Sequence, residues 1–193
     1  MRTAGKKYAT VTGSAMVAMA AVGLVAGCGG TVGEEPGAGD SSTTATEQNV
    51  EWNPCTELPD EALRATSADP SSKDTDVDAP GDKAAFRICS WDANDGPYYV
   101  SVGSSTFSQD RWSENTAVTG ISPVDINGRS GLTFYPSTGE SPMRLCYVSF
   151  PTEHGLAFVS VSWRYSQRDS LPESPPCGVA VQHATTLEPF LPK

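Results

Sequence analysis

Between residues 85 and 165 apolar and polar positions alternate with a period near two. That is the mark of strands with one buried face. The pattern predicts strands over 85–91, 98–104, 122–126, 129–135, 143–150 and 156–165. In the last of these Val159, Val161 and Trp163 fall on one side and Ser160 and Ser162 on the other. Asp92-Ala93-Asn94-Asp95-Gly96-Pro97, Asn127-Gly128 and Pro151-Thr152-Glu153-His154-Gly155 separate successive runs with turn chemistry, and an Asn-Gly pair between such runs is a strong hairpin signal. Helical spacing appears at both ends. Leu58, Ala62 and Leu63 give a stripe to a helix over 55–63, with Pro59 suited to its first turn. Val179, Ala180, Ala184 and Leu187 do the same for a helix over 177–188, which Pro189 should stop. A short helix over 108–115 would be capped by Ser108 and turn Trp112 inward. Residues 66–83 and 136–142 read as loops. The order predicts an α+β domain, a twisted antiparallel sheet with the N- and C-terminal helices packed on one face.

Upstream of residue 51 the pattern changes. Arg2, Lys6 and Lys7 precede an apolar, small-residue run over 15–26, shorter than the roughly 20 residues a spanning helix needs. The run ends Val25-Ala26-Gly27-Cys28, which resembles the lipobox of bacterial lipoproteins. The resemblance implies a signal peptide over 1–27, acylation of Cys28, and a protein held by its acyl chains on the outer face of the cytoplasmic membrane. Two or more chains give stable anchoring where one does not. Residues 28–50 are rich in Gly, Ser and Thr and poor in apolar groups. They read as a tether with a reach of about 25 Å, which leaves 51–193 as a single folded domain.

Charge and cysteines narrow the picture. The chain carries a net charge of −10, and loss of residues 1–27 would remove three cations and no acid, taking it to −13. Such acidity argues against a nucleic-acid partner. With Cys28 assigned to lipid, Cys55, Cys89, Cys146 and Cys177 remain, an even set in an exported chain, and no Cys-x-x-Cys spacing suggests a metal. Four cysteines allow three pairings. Cys55–Cys89 with Cys146–Cys177 is the favoured set, each bond joining a helix start to a neighbouring strand. Cys55–Cys177 with Cys89–Cys146 is its rival.

Pro54-Cys55 before a short helix, Cys89-Ser90-Trp91 in a strand, Asn127-Gly128 in a turn, Cys146 in a late strand and Pro176-Cys177 opening a terminal helix form a constellation. Together with the lipobox it resembles a large group of actinobacterial cell-envelope lipoproteins sharing a disulfide-stapled domain of unknown function. The resemblance covers residues 52–192 and implies no catalytic residue. A PsbP-like sandwich is a fold analogy for it, and analogy at that level carries no function.

Candidate chemistry is sparse. His154 lies in a turn and His183 at the edge of the apolar face of the last helix, so both read as solvated. Gly128-Arg129-Ser130-Gly131 lacks the nucleophile-elbow spacing. Asp92, Asp95, Asp110 and Glu114 read as loop acids. Trp91 and Trp112 are expected in the core, Trp163 less so. No catalytic residue, metal or cofactor is expected. The reading is a non-catalytic binding or scaffolding module with an envelope protein, glycan or lipid as partner. The alternatives are a carrier of a small apolar ligand or an envelope hydrolase. The face of the sheet opposite the helices decides among them.

Overall fold

The computed structural model describes residues 49–75, 78 and 85–193. Cys28, the expected export signal and most of the expected tether lie outside the described residues.

Six strands form one antiparallel sheet: β1 (Phe86–Asp92), β2 (Tyr98–Ser105), β3 (Val118–Ile126), β4 (Arg129–Pro136), β5 (Leu145–Thr152) and β6 (Gly155–Trp163). Their order is β1-β2-β6-β5-β4-β3, so the last strand lies between β2 and β5. The turn signals act as their chemistry requires. Asn127 and Gly128 both take positive φ, 56° and 81°, and close the β3–β4 hairpin in two residues. The β5–β6 turn is shorter than the five residues expected: Thr152 pairs with Gly155, leaving Glu153 and His154 at the tip. β3 is longer than its alternation indicated, because a bulge between Thr119 and Ser122 breaks the period. Pro123 fits there because β3 is an edge strand.

Among the described residues four α-helices accompany the sheet: α1 (Pro54–Glu57), α2 (Asp60–Ala65), α3 (Gln109–Ser113) and α4 (Cys177–Leu187). The single helix expected over 55–63 is two. Pro59 offers no N–H, and its ring forces Leu58 into an extended conformation (φ −74°, ψ 120°), so the helix stops and restarts. At α1 the Asn53 side chain accepts from Cys55 N (2.9 Å) while Glu57 Oε1 accepts from Asn53 N (2.7 Å), a reciprocal cap. α4 ends at Leu187, one residue before the expected boundary, and Pro189 stands just beyond it. The proline occupies the first turn of a 3-10 helix, Glu188–Phe190, where a missing N–H costs nothing. The expected loop over 66–83 contains a 3-10 turn at Pro70–Ser72 and a bridge in which Asp74 and Ser90 exchange backbone hydrogen bonds.

The two faces of the sheet differ. On one, Cys89, Val102, Val159 and Val148 stand opposite one another across four strands, as do Trp91, Val100, Val161 and Cys146. These join Leu58, Ala62 and Leu63 of the N-terminal helical segment and Ala180, Ala184 and Leu187 of α4 in one core. Disulfides tie both ends to the sheet: Cys55 to Cys89 (Cα–Cα 5.3 Å) and Cys146 to Cys177 (5.2 Å). On the other face α3 lays Trp112 against Phe134 (ring centroids 5.5 Å) and edge-on to Phe86 (6.1 Å). Trp112 is thus half-buried on the second face and not part of the main core, whereas Trp163, expected to be the less buried, is 9% exposed within it. The reason is α3, which sits across the sheet from the other helices and takes its tryptophan with it.

Candidate functional site

α3 covers only part of the second face. Beside it a groove of about 510 Å³ runs across β1, β2, β6 and β5. That volume is in the usual range of small-ligand sites, about 300–1,000 Å³.

The register builds it. Ser90, Ser101 and Ser160 lie directly opposite one another on β1, β2 and β6, and Tyr147 of β5 follows in the same row. Three small side chains side by side leave the trough. One wall is the next row, Tyr99, Ser162 and Leu145. The other is Ile88 and Phe158. Between these two stands Gly103, where a Cβ would come within 2.1 Å of Phe158 Cζ. The absent side chain lets the phenyl ring lie down against the sheet and not stand in the trough.

Polar groups of the groove are unevenly satisfied. Ser90 Oγ and Ser101 Oγ share a hydrogen bond of 2.7 Å. Ser160 is 4% exposed, yet its hydroxyl bonds nothing among the described residues and opens into the groove. Burial pushes the Tyr147 phenol above its ordinary pKa, so it stays protonated and able to donate. At the upper rim Arg164 bridges Asp92 Oδ1 (2.6 Å) and Tyr99 Oη (2.9 Å), with its guanidinium 4.5 Å from the Tyr99 ring centre. Among the described residues no lysine, arginine or histidine lines the groove, and Asp74 is the one carboxylate. The described trough therefore offers hydroxyls, apolar walls and a single carboxylate, and no cation to hold a phosphate.

His183 is a correction to the sequence reading. It is 5% exposed, on the core face and far from the solvated helix edge expected. Nδ1 meets Thr66 Oγ1 at 2.7 Å and Nε2 meets Tyr98 Oη at 3.0 Å, while Tyr98 donates to Asp95 Oδ1 at 2.6 Å. The chain is satisfied if Thr66 donates to Nδ1 and Nε2–H donates to Tyr98, an assignment made from the network. Burial lowers the His183 pKa, with the Asp95 charge and Thr66 acting the other way. The spacing held the clue. Ala180, His183, Ala184 and Leu187 follow i, i+3, i+4, i+7, so the imidazole belongs to the buried stripe. Asp95 and Asp92 are accordingly anchoring acids and not free loop carboxylates, whereas Asp110 and Glu114 are exposed. His154 is exposed and sits 3.2 Å from Glu51.

Arg129 and Ser130 of the Gly-Arg-Ser-Gly sequence separate. Ser130 is exposed. Arg129 donates to the carbonyls of Pro151 and Pro192 (2.7 Å each) and faces Glu188 at 3.6 Å. Burial raises the Glu188 pKa, but hydrogen bonds from Lys193 and Asn127 and the charges of Lys193 and Arg129 outweigh it, so the group is held below its ordinary value. This cluster clamps the β3–β4 turn to the C-terminus.

Among the described residues no helix is long and apolar enough to cross a membrane, and no three His, Cys, Asp or Glu side chains gather as a metal site would require. A family model described as "Protein of unknown function (DUF3558)" matches residues 23–189. No curated protein and no solved structure matches the chain.

Proposed function

Because the chain belongs to the DUF3558 family, whose description assigns no activity, function must be read from the molecule's own surface, and we propose that it is an extracytoplasmic binding module whose binding face is the groove on the open side of the sheet. The observation that carries this is the row of hydroxyls on the trough floor, Ser90, Ser101 and Ser160, of which Ser160 bonds nothing among the described residues and faces the open groove. A ligand hydroxyl can take the place of the water that such a group otherwise bonds. Two disulfides support an oxidising compartment outside the cytoplasm. The lipobox supports anchoring through acylated Cys28, as in the actinobacterial envelope lipoproteins the chain resembles, with residues 28–50 holding the domain off the bilayer. A hydrolase reading has less support, because among the described lining residues Asp74 stands as a single carboxylate with no second one facing it, and His183 is enclosed on the other face.

The test is site-specific photo-crosslinking on intact cells. A photoreactive residue at Ser162, on the groove wall, should trap an envelope component that the same residue at Glu61, exposed on α2, does not. Identical adducts from both positions, or none from Ser162, would end the groove reading. The anchor is tested separately: Cys28→Ala should move the protein out of the detergent fraction, and its retention there would sink that part.

A further inference from the structure

We propose that the groove takes a neutral carbohydrate, laid across the strands with its hydroxyls on the serine floor. This rests on the reading of the groove as the binding face and adds the chemical class of its occupant.

The floor sets the first requirement. Ser90, Ser101 and Ser160 repeat at the strand spacing, about 4.8 Å, a step close to the length of one pyranose ring. Ser160 brings a groove-facing hydroxyl with no partner among the described residues, so its donor and acceptor capacity are both open to a ligand, and the Ser90–Ser101 pair, closed on itself, retains spare acceptor lone pairs. Tyr147 adds a phenol held protonated at the end of the row. The occupant must therefore donate and accept along its length. A hydrocarbon chain would seal these hydroxyls under apolar surface, at a cost for each.

Charge sets the second. With no cation among the described residues of its lining, the groove offers a phosphate or a carboxylate no compensating charge, and the chain as a whole is at −10. The one nearby guanidinium, Arg164, is committed to Asp92 and Tyr99.

Backbone sets the third. β2, β6 and β5 are each paired on both sides, so their ladder groups are consumed and cannot bind an extended peptide lying on the face. What remains is an uncharged molecule rich in hydroxyls that also presents C–H surface to Ile88, Leu145 and Phe158. A neutral sugar chain has that composition, one edge polar and the ring faces apolar.

The experiment uses the lipidated full chain in nanodiscs, with empty nanodiscs as reference. It is titrated with mannotriose, cellotriose, chitotriose and arabinotriose, and in parallel with trigalacturonate and with decanol. At least one neutral trisaccharide should saturate, and trigalacturonate should not. Ser160→Val removes the hydroxyl, replacing it with two methyl groups, and suits a strand. It should weaken the trisaccharide about tenfold, and Tyr147→Phe should weaken it several-fold, while Glu61→Gln on α2 changes nothing. Unchanged thermal midpoints in the variants separate lost contacts from lost fold. Saturation by decanol alone, tightened by Ser160→Val, would overturn the carbohydrate and leave the groove as a binding face. Equal binding of trigalacturonate would overturn the neutral assignment. Saccharide binding indifferent to Ser160→Val would place the sugar elsewhere and overturn the proposal. No binding of any probe, together with no crosslink at Ser162, would overturn both the ligand class and the groove.

Discussion

Replacing Tyr98 by Phe removes a single oxygen from the interior and keeps the ring that packs against Trp163 (centroids 5.1 Å). That oxygen is the middle member of the Thr66–His183–Tyr98–Asp95 chain. It has one proton, which it gives to Asp95 at 2.6 Å, so toward His183 it can only accept. In the Phe variant the Nε2–H of a residue 5% exposed loses its acceptor. A stranded buried donor costs about 1–3 kcal/mol. The bond to the Asp95 carboxylate would count for about 1.5–3 kcal/mol when enclosed, but Asp95 is exposed and water can replace the phenol. The expected loss is about 2–3 kcal/mol, read from urea unfolding at neutral pH with the disulfides intact. His183→Phe provides the second leg. In that background no N–H remains to be stranded, so the penalty of Tyr98→Phe should shrink by about 1 kcal/mol or more. A loss under about 0.5 kcal/mol, or additivity within about 0.5 kcal/mol, would refute the claim that these side chains act as one connected unit.

Acid should unfold the protein in two stages. His183 titrates below its ordinary 6.5 when folded, so the stability tied to its neutral form is complete above 6.5 and declines as pH falls through the folded value. Glu188, held below 4.5, contributes stability that is complete above 4.5 and declines further down. Thermal midpoints recorded against pH should show the upper stage vanish in His183→Phe; a wild-type midpoint that stays level from neutral to 4.5 would contradict it. Arg129→Ala should cost about 3 kcal/mol in urea unfolding, because it frees the Pro151 and Pro192 carbonyls and leaves buried Glu188 with only Lys193 and Asn127. A cost under about 1 kcal/mol would show that Lys193 and Asn127 suffice. Gly103→Ala puts a Cβ where Phe158 lies and should cost about 1–3 kcal/mol, with the Phe158 ring resonances shifted as it lifts into the trough. Unchanged stability and unchanged ring shifts would mean that the close approach is not constraining.

The sheet was legible because its strands keep a period of two and its turns carry Asn-Gly and Asp-rich chemistry. Val159, Ser160, Val161 and Ser162 divide between the faces as their alternation indicates. Failures came where one local rule overrode another. Pro59 fits a first turn, but the residue before it must be extended, and that constraint broke the helix at Leu58. Val179, Ala180, Ala184 and Leu187 set a stripe whose edge takes in His183, and the i, i+3, i+4, i+7 spacing of Ala180, His183, Ala184 and Leu187 carries it inside. The groove was not legible at all. It depends on Ser90, Ser101 and Ser160 standing in one row, and that row exists only once β6 pairs with β2, a register that spans more than fifty residues and leaves no mark in any single segment.

The position of β6 also orders the birth of the domain. A chain made from its N-terminus completes β1 and β2 early, but the inner edge of β2 has no partner until residues 155–163 arrive. Throughout that interval the hairpin presents an open row of backbone donors and acceptors and one apolar side, the combination that invites pairing with a stranger. The earlier disulfide can close during this wait, since Cys55 and Cys89 are both already present, whereas Cys177 is delivered only after β6 has passed. In a chain that emerges from its N-terminus, one staple can therefore be set before β6 arrives and the other only after it, and β6 joins two halves of the sheet that have no pairing with each other without it.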